Sequence, residues 1–299
     1  MSAEDDTKNL ICRCDYYHEP EGRRALNAFV GKIFGGLDFS PWNDLGYPFP
    51  EYKPFSFFHE GQVVANVSAS AMNLLLDGRE CNAVQIGTVA CDPAFRRRGL
   101  IRTLMQKVDE YWEPERSLFF LFANETVPTF YQQFGYRPVR EYRFSAVAPA
   151  YTSPRVPAHR LAIERIDDRE LLHSLAEKRA AVSARVGVFR QSWLLMFHAA
   201  VVYPQHLYYL DDLDVAIIAY SSGETLHLID VIGRRIPSFG EIYPAIGAPQ
   251  ITKVVFSFTP DLLGIDASAV HAADPSELFV RGPFPDHLPA FRFPLTAQA

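Results

Sequence analysis

The chain has 299 residues, of which 48% are hydrophobic and 21% charged, with a formal net charge of -6 at pH 7. That supplies apolar material for about two globular domains, and the acidic balance excludes a protein that grips nucleic acid by general electrostatics. No run approaches the ~18 apolar residues of a membrane span, and the start, Met1-Ser-Ala-Glu-Asp-Asp-Thr, has no apolar stretch. A cytoplasmic protein with no membrane partner is expected. The four cysteines, Cys12, Cys14, Cys81 and Cys91, lack zinc spacing, so no metal is expected and the thiols read as buried.

Leu10 to Tyr17 reads as a strand, and Glu19 to Phe34 as a helix with Ala25, Phe29 and Ile33 on one stripe, stopped by Gly35-Gly36. Phe39, Trp42, Tyr47, Phe49 and Tyr52 then punctuate an irregular segment broken by Pro41, Pro48, Pro50 and Pro54. A loop this long is functional or disordered, and five aromatics argue for order. Strands follow at Phe55 to His59, Gln62 to Ala71 and Ala83 to Cys91, with Glu60-Gly61 and Asp77-Gly78 as hairpin turns.

The strand ending at Cys91 leads through Asp92-Pro93 into Arg96-Arg97-Arg98-Gly99. A helix follows, with apolar residues at Leu100, Leu104, Val108 and Trp112. Three arginines and a glycine thus stand where the first helical N–H groups have no partner, a place that suits a polyanion such as a pyrophosphate. Ser117 to Ala123 is a further strand ended by Asn124, and Val127 to Phe134 a short helix carrying Tyr131 and closed by Gly135. Tyr136 to Val147 completes the half.

Two stretches carry a resemblance. Pro93-x-x-Arg96-x-x-Gly99 is similar to the coenzyme A loop of the GCN5-related N-acetyltransferases (GNAT), with Ile101 where a second small residue is usual. Asn124, Tyr131 and Phe134-Gly135-Tyr136 resemble the second signature of that superfamily, in the same order. The run Arg-Arg-Arg-Gly-Leu-Ile-Arg is similar to the loop of the enhanced-intracellular-survival acetyltransferase group. The implied fold is α+β, with mixed central sheets in two tandem GNAT-like domains. The first is expected over 1–147, a Pro-rich linker over 148–157, and a degenerate GNAT-like domain over 158–299. The third, carrier-protein-like domain of the resembling group has no residues left to form it.

In the second half, strands are expected at Leu161 to Ile166, Leu207 to Leu210, Asp214 to Tyr220, Thr225 to Ile232, Ile251 to Phe258, near Leu278 to Val280 and at Phe291 to Leu295. Helices are expected at Asp168 to Val182, around Gln191 to Val202 and at Phe239 to Ile246. Where a cofactor loop would follow stands Gly233-Arg-Arg-Ile-Pro-Ser-Phe-Gly, which lacks the glycine register, so this half is not expected to hold coenzyme A.

The resemblance implies an acetyl-CoA-dependent N-acetyltransferase acting by direct transfer on a primary amine, borne by a small molecule or peptide. A non-catalytic acyl-CoA sensor is the alternative. The strands ending at Cys91 and Asn124 would splay, leaving Val89, Ala90 and Cys91 to pair with the pantetheine arm and a backbone N–H near Val89 to bond the thioester oxygen. Arg96, Arg97, Arg98, Gly99, Leu100, Ile101 and Arg102 would hold the pyrophosphate, Asn124 the pantetheine or the following helix, and Tyr131 would protonate the departing sulfur. The general base stays open among His59, Glu80, Gln85, Glu125, a water relay and the terminal carboxylate of Ala299. The Phe39 to Tyr52 rings are either a wall for the acceptor or a cover for the edge of the core.

Overall fold

The computed structural model describes residues 9–113, 115–124, 129–153, 156–271 and 276–299. In its first half, β1 (Ile11–Cys14) precedes α1 (Pro20–Ile33) and the single turn α2 (Ser40–Asn43). Then come β2 (Tyr52–His59), β3 (Gln62–Leu76), β4 (Arg79–Cys91), α3 (Leu100–Trp112), β5 (Leu118–Asn124), β6 (Arg137–Val139) and β7 (Tyr142–Val147). The hairpin turns form where expected: Glu60, Gly61, Asp77 and Gly78 all have positive φ, as tight antiparallel turns require. The Asp77-Gly78 hairpin arms are longer than the alternation suggested, because β9 (Val186–Val188) pairs with Leu74 to Leu76 and extends the sheet there.

The second half runs β8 (His159–Arg160), α4 (Ile166–Glu177), β9, α5 (Trp193–Phe197), β10 (Leu207–Leu210), β11 (Val215–Ser222) and β12 (Thr225–Gly233). It ends with α6 (Phe239–Ile246), β13 (Lys253–Phe256), β14 (Ser268–His271) and β15 (Ser276–Arg281). A π turn at His198–Val202 continues α5. The strand expected at Phe291 to Leu295 is absent, and Leu295–Ala297 forms a 3-10 turn instead.

Two mixed sheets result, ordered β1-β2-β3-β4-β5-β15-β6 and β14-β7-β13-β12-β11-β10-β8. Each contains one parallel pair, β4 with β5 and β12 with β13, flanked by antiparallel neighbours. The boundary read from the sequence therefore does not separate the sheets. β7 from the first half lies between β13 and β14 of the second sheet, and β15 from the second half lies between β5 and β6 of the first. The exchange has a physical lock at one end: Arg281 makes two hydrogen bonds to Asp109 of α3, at 3.0 and 2.5 Å, and lies over the rings of Phe119 and Tyr136.

The first sheet buries both faces. Against α3, Leu100, Leu104, Met105, Val108 and Trp112 pack on Val67, Ala69, Ile86, Phe119 and Leu121. On the other face, Leu26, Phe29 and Val30 of α1 join a core that runs on into the second half. The aromatic segment belongs to that core. Trp42 is 1% exposed, stacks on Phe49 at 4.7 Å, and donates its indole N–H to the carbonyl of Trp193. Phe39 and Trp42 both meet Phe197 edge-on, and Tyr47 stacks on His173 at 3.9 Å. These rings join the halves and are not a wall of the cavity described next. The cysteines also differ from expectation, since Cys14 is exposed and Cys12, Cys81 and Cys91 are half-buried.

Candidate active site

The site follows from how far two parallel strands stay paired. β4 and β5 are in register from Ala83 with Leu118 to Ile86 with Leu121, and no pairing continues beyond. β4 runs five residues further, to Cys91, and β5 three further, to Asn124, so the strands part and leave backbone groups without a sheet neighbour on that side. β4 also carries a bulge here: Asn66 pairs with Ala90 and Ser68 with Gly87, so Thr88 and Val89 together oppose Val67. Thr88 has φ +51°.

A cavity of about 970 Å³ opens at the split. Val89, Ala90, Cys91, Arg96, Arg97, Gly99, Leu100, Ile101, Arg102 and Tyr131 all line it. Arg98 does not: its guanidinium donates to the carbonyl of Ala94 and lies over Phe95. The carbonyl of Cys91 accepts from Arg96 Nε at 3.3 Å, so that group is engaged by the loop. Asn124 ends β5, with its side chain outside the described residues, as are Glu125 and the start of the helix expected from Val127.

The loop leaves the start of α3 open. Arg97 and Gly99 both have positive φ, +62° and +74°, which turns successive N–H groups to one side. Gly99 is the N-cap of α3, and no side chain caps that end. A side chain there would point into open space, with nothing within 4 Å. The corresponding end of α6 in the second half is closed. There Ser238 and Glu241 form a capping box, with the Glu241 carboxylate accepting from the Ser238 N–H at 2.7 Å. A carboxylate already caps that helix start.

Tyr131 begins a 3-10 turn ended by Gly135 at φ +80°. It is 7% exposed, packed among Phe130, Tyr136 and Phe279, and burial pushes its phenol up to about 12. The hydroxyl therefore keeps its proton at neutral pH, as a donor must.

Among the base candidates, Glu80 is exposed beside the hairpin turn and His59 packs on Phe95, and neither lines the cavity. Ala299 does. Its Cβ lies 3.0 Å from where a Cβ on Gly87 would be, and its backbone carbon 3.6 Å from that point, so the missing side chain at Gly87 is what admits the tail. A glycine inside a strand is the sequence sign of such an approach, and Gly87 was the residue to notice.

The tail is held along its length. Gln85 donates to the carbonyl of Ala297, His198 Nε2 to that of Gln298 at 3.0 Å, and Thr296 to Asp230. Asp230 itself makes a buried ion pair with Arg179 at 2.7 Å. In the second sheet β12 and β13 part after Leu228 and Phe256, and Ser257, the next residue, gives its carbonyl to the N–H of Leu295. The split that is open in the first sheet is thus filled in the second by the chain's own end.

Fold and cavity together have the form of the GNAT acyltransferase fold. Residues 52–139 match the acetyltransferase (GNAT) domain, and the chain carries that domain. Among solved structures it is similar to a "Probable N-Acyltransferase" of Enterococcus faecalis V583, at 16% identity and a TM-score of 0.60, over 91% of this chain and 72% of that one. It is also similar to Eis1 of Mycobacterium abscessus, at 17% and 0.55 over 91% and 73%, and to a GCN5-related N-acetyltransferase of Kribbella flavida, at 17% and 0.55 over 92% and 72%. At these identities the likeness is one of fold. No curated protein matches the sequence. Among the described residues no helix is long and apolar enough to cross a membrane.

Proposed function

We propose that the protein moves an acetyl group from acetyl-CoA to a primary amine by direct transfer within this cavity. The observation that carries the reading is that Tyr131 and Ala299 both line the cavity opened where β4 and β5 part, beside an uncapped helix end. The residues fit the cosubstrate: the N–H groups after Gly99, with Arg96, Arg97 and Arg102, suit a pyrophosphate, and the unpaired edge of β4 near Val89 suits the pantetheine amides. Acetyl-CoA supplies the activated acyl group as a thioester.

The chain's own groups do the rest. The Val89 N–H stabilises charge that develops on the thioester oxygen, a contribution worth ~3 kcal/mol for one well-placed donor. Tyr131 gives its proton to the departing sulfur. The amine gives its proton to a base within the cavity, the tail at Ala299 or a water relay, so that both proton transfers are local.

Thiol release from acetyl-CoA with a panel of primary amines, with products read by mass, tests the proposal. Acetylated amine in step with thiol is the expected result. Tight coenzyme A binding without turnover on any amine would leave an acyl-CoA sensor instead, and absence of binding would remove both.

A further inference from the structure

Thr88 stands in the left-handed region at φ +51°, where a β-branched residue is an outlier. Such a conformation persists only where the surroundings over-determine it. Those surroundings are a chain of polar side chains on the sheet face opposite α3. Asn66 Nδ2 donates to the Thr88 carbonyl at 2.8 Å and to Ser68 Oγ at 3.0 Å, while its Oδ1 accepts from Ser56 Oγ at 2.7 Å. Ser56 in turn shares a hydrogen bond with the Tyr16 hydroxyl at 2.6 Å. Ser68 donates to the Tyr52 hydroxyl at 2.8 Å, which extends the network along the sheet. Thr88 is held by this network at its carbonyl.

The Asn66 amide is fully buried and uses both of its hydrogens and its oxygen, which leaves it a single orientation. Burying this many polar groups is unfavourable unless every one is satisfied, and apolar side chains would fill the same space without that demand. The irregular backbone that the Asn66 amide meets is the bulge. Asn66 does not line the cavity, whereas Thr88 and Val89 do.

We propose that Asn66 is a positioning residue for acyl transfer: by holding the Thr88 carbonyl it fixes the left-handed turn of the bulge, and with it the direction in which the Val89 N–H points into the split. The inference rests on the role given above to the Val89 N–H.

Asn66→Ala tests it, with Thr88→Gly as rescue, because glycine adopts positive φ without support. Misaiming the donor should lower kcat at least tenfold, a part of the ~100 to 1,000-fold lost when such a donor is removed outright. Coenzyme A affinity by calorimetry should change by no more than about threefold, since the amide acts on the transition state. In the Thr88→Gly background, Asn66→Ala should cost no more than about threefold in kcat. A folded Asn66→Ala protein with undiminished kcat would overturn the proposal, and so would a loss that glycine does not rescue. If Asn66→Ala fails to fold, the double variant decides: kcat near that of Thr88→Gly alone supports the role. A double variant that also fails to fold overturns it, because the network and not Thr88 would then be what Asn66 sustains. A crystal structure of Asn66→Ala, or of the double variant against Thr88→Gly, reads the same point without turnover and so separates it from the acetyl-transfer reading. Residue 88 leaving positive φ in the threonine form is expected, and Thr88 unmoved there would overturn the proposal.

Discussion

Gln85 donates its side-chain amide to the carbonyl of Ala297 at 3.2 Å, from the last turn of pairing before β4 and β5 separate. The strand that borders the cavity therefore also grips the tail that ends in it. Deleting Gln298 and Ala299 should lower kcat ~100 to 10,000-fold if the α-carboxylate is the base, with coenzyme A affinity nearly unchanged. Gln85→Met, which keeps the volume and removes the donor, should produce a smaller fall in the same direction. Steady-state kinetics on both variants checks this, and full activity in the truncated protein would assign the proton to a water relay.

Tyr131→Phe keeps the ring and removes the proton. It should reduce kcat by ~100-fold or more at unchanged coenzyme A affinity. Because burial lifts the phenol to about 12, the unaltered enzyme should show no alkaline fall in kcat from this group as pH rises from 7 through 10. The stability sign runs the same way: above pH 10 the unfolded chain sheds a proton that the folded one keeps, so folding weakens only in that alkaline window. A pH profile of kcat for the two proteins is the measurement.

At Gly99, φ +74° is strained for any β-branched residue, and the space in front of it is the expected anion path. Gly99→Val should weaken coenzyme A binding by tenfold or more, about 1.4 kcal/mol, by calorimetry on folded protein. The same titration should give one coenzyme A per chain, since Glu241 closes the helix end and Leu295 fills the strand split in the second half.

His198 is buried with Nε2 on the Gln298 carbonyl, and desolvation lowers it from 6.5 to about 4, against weaker opposing pulls from that bond and from Asp230. Between those values the unfolded chain takes up a proton that the folded chain refuses. Stability from this group is thus complete above pH 6.5 and is lost as pH falls toward 4, by an amount of a few kcal/mol. Thermal melts from pH 4 to 7 should fall more steeply for the unaltered protein than for His198→Gln, which keeps a donor and cannot titrate.

A fragment ending at Pro157 should not fold. It would leave β5 without β15, β6 with no neighbour, and β7 without its sheet. Circular dichroism and light scattering on the fragment check this; a cooperative melt would contradict it.

What could be read in the sequence was what local chemistry dictates. The apolar stripe of α3, the Gly-bearing turns and the turn at Arg96 to Gly99 that opens the helix all follow from side chains near one another in the chain, and they appear where expected. The partner of a strand is not local information. Leu278 to Val280 alternates like any strand, and nothing in it says that Phe122 to Phe120, more than a hundred positions earlier, will be its neighbour. The aromatics from Phe39 to Tyr52 read equally as wall or core because Trp193 and Phe197, which bury them, lie far downstream. The same distance hid where Ala299 would lie. Its place beside Gly87 depends on Gln85, His198 and Asp230 acting together, which only the folded chain reveals.

The reciprocal strand exchange also sets a timetable. On a ribosome adding ~5–20 residues per second, the roughly 150 residues between β5 and β15 take about 8–30 seconds to appear. Until they do, β5 presents an open apolar edge of Phe119, Phe120 and Leu121, a liability for pairing with other nascent chains. What protects that edge meanwhile, whether a chaperone or the speed of translation, becomes a determinant of yield.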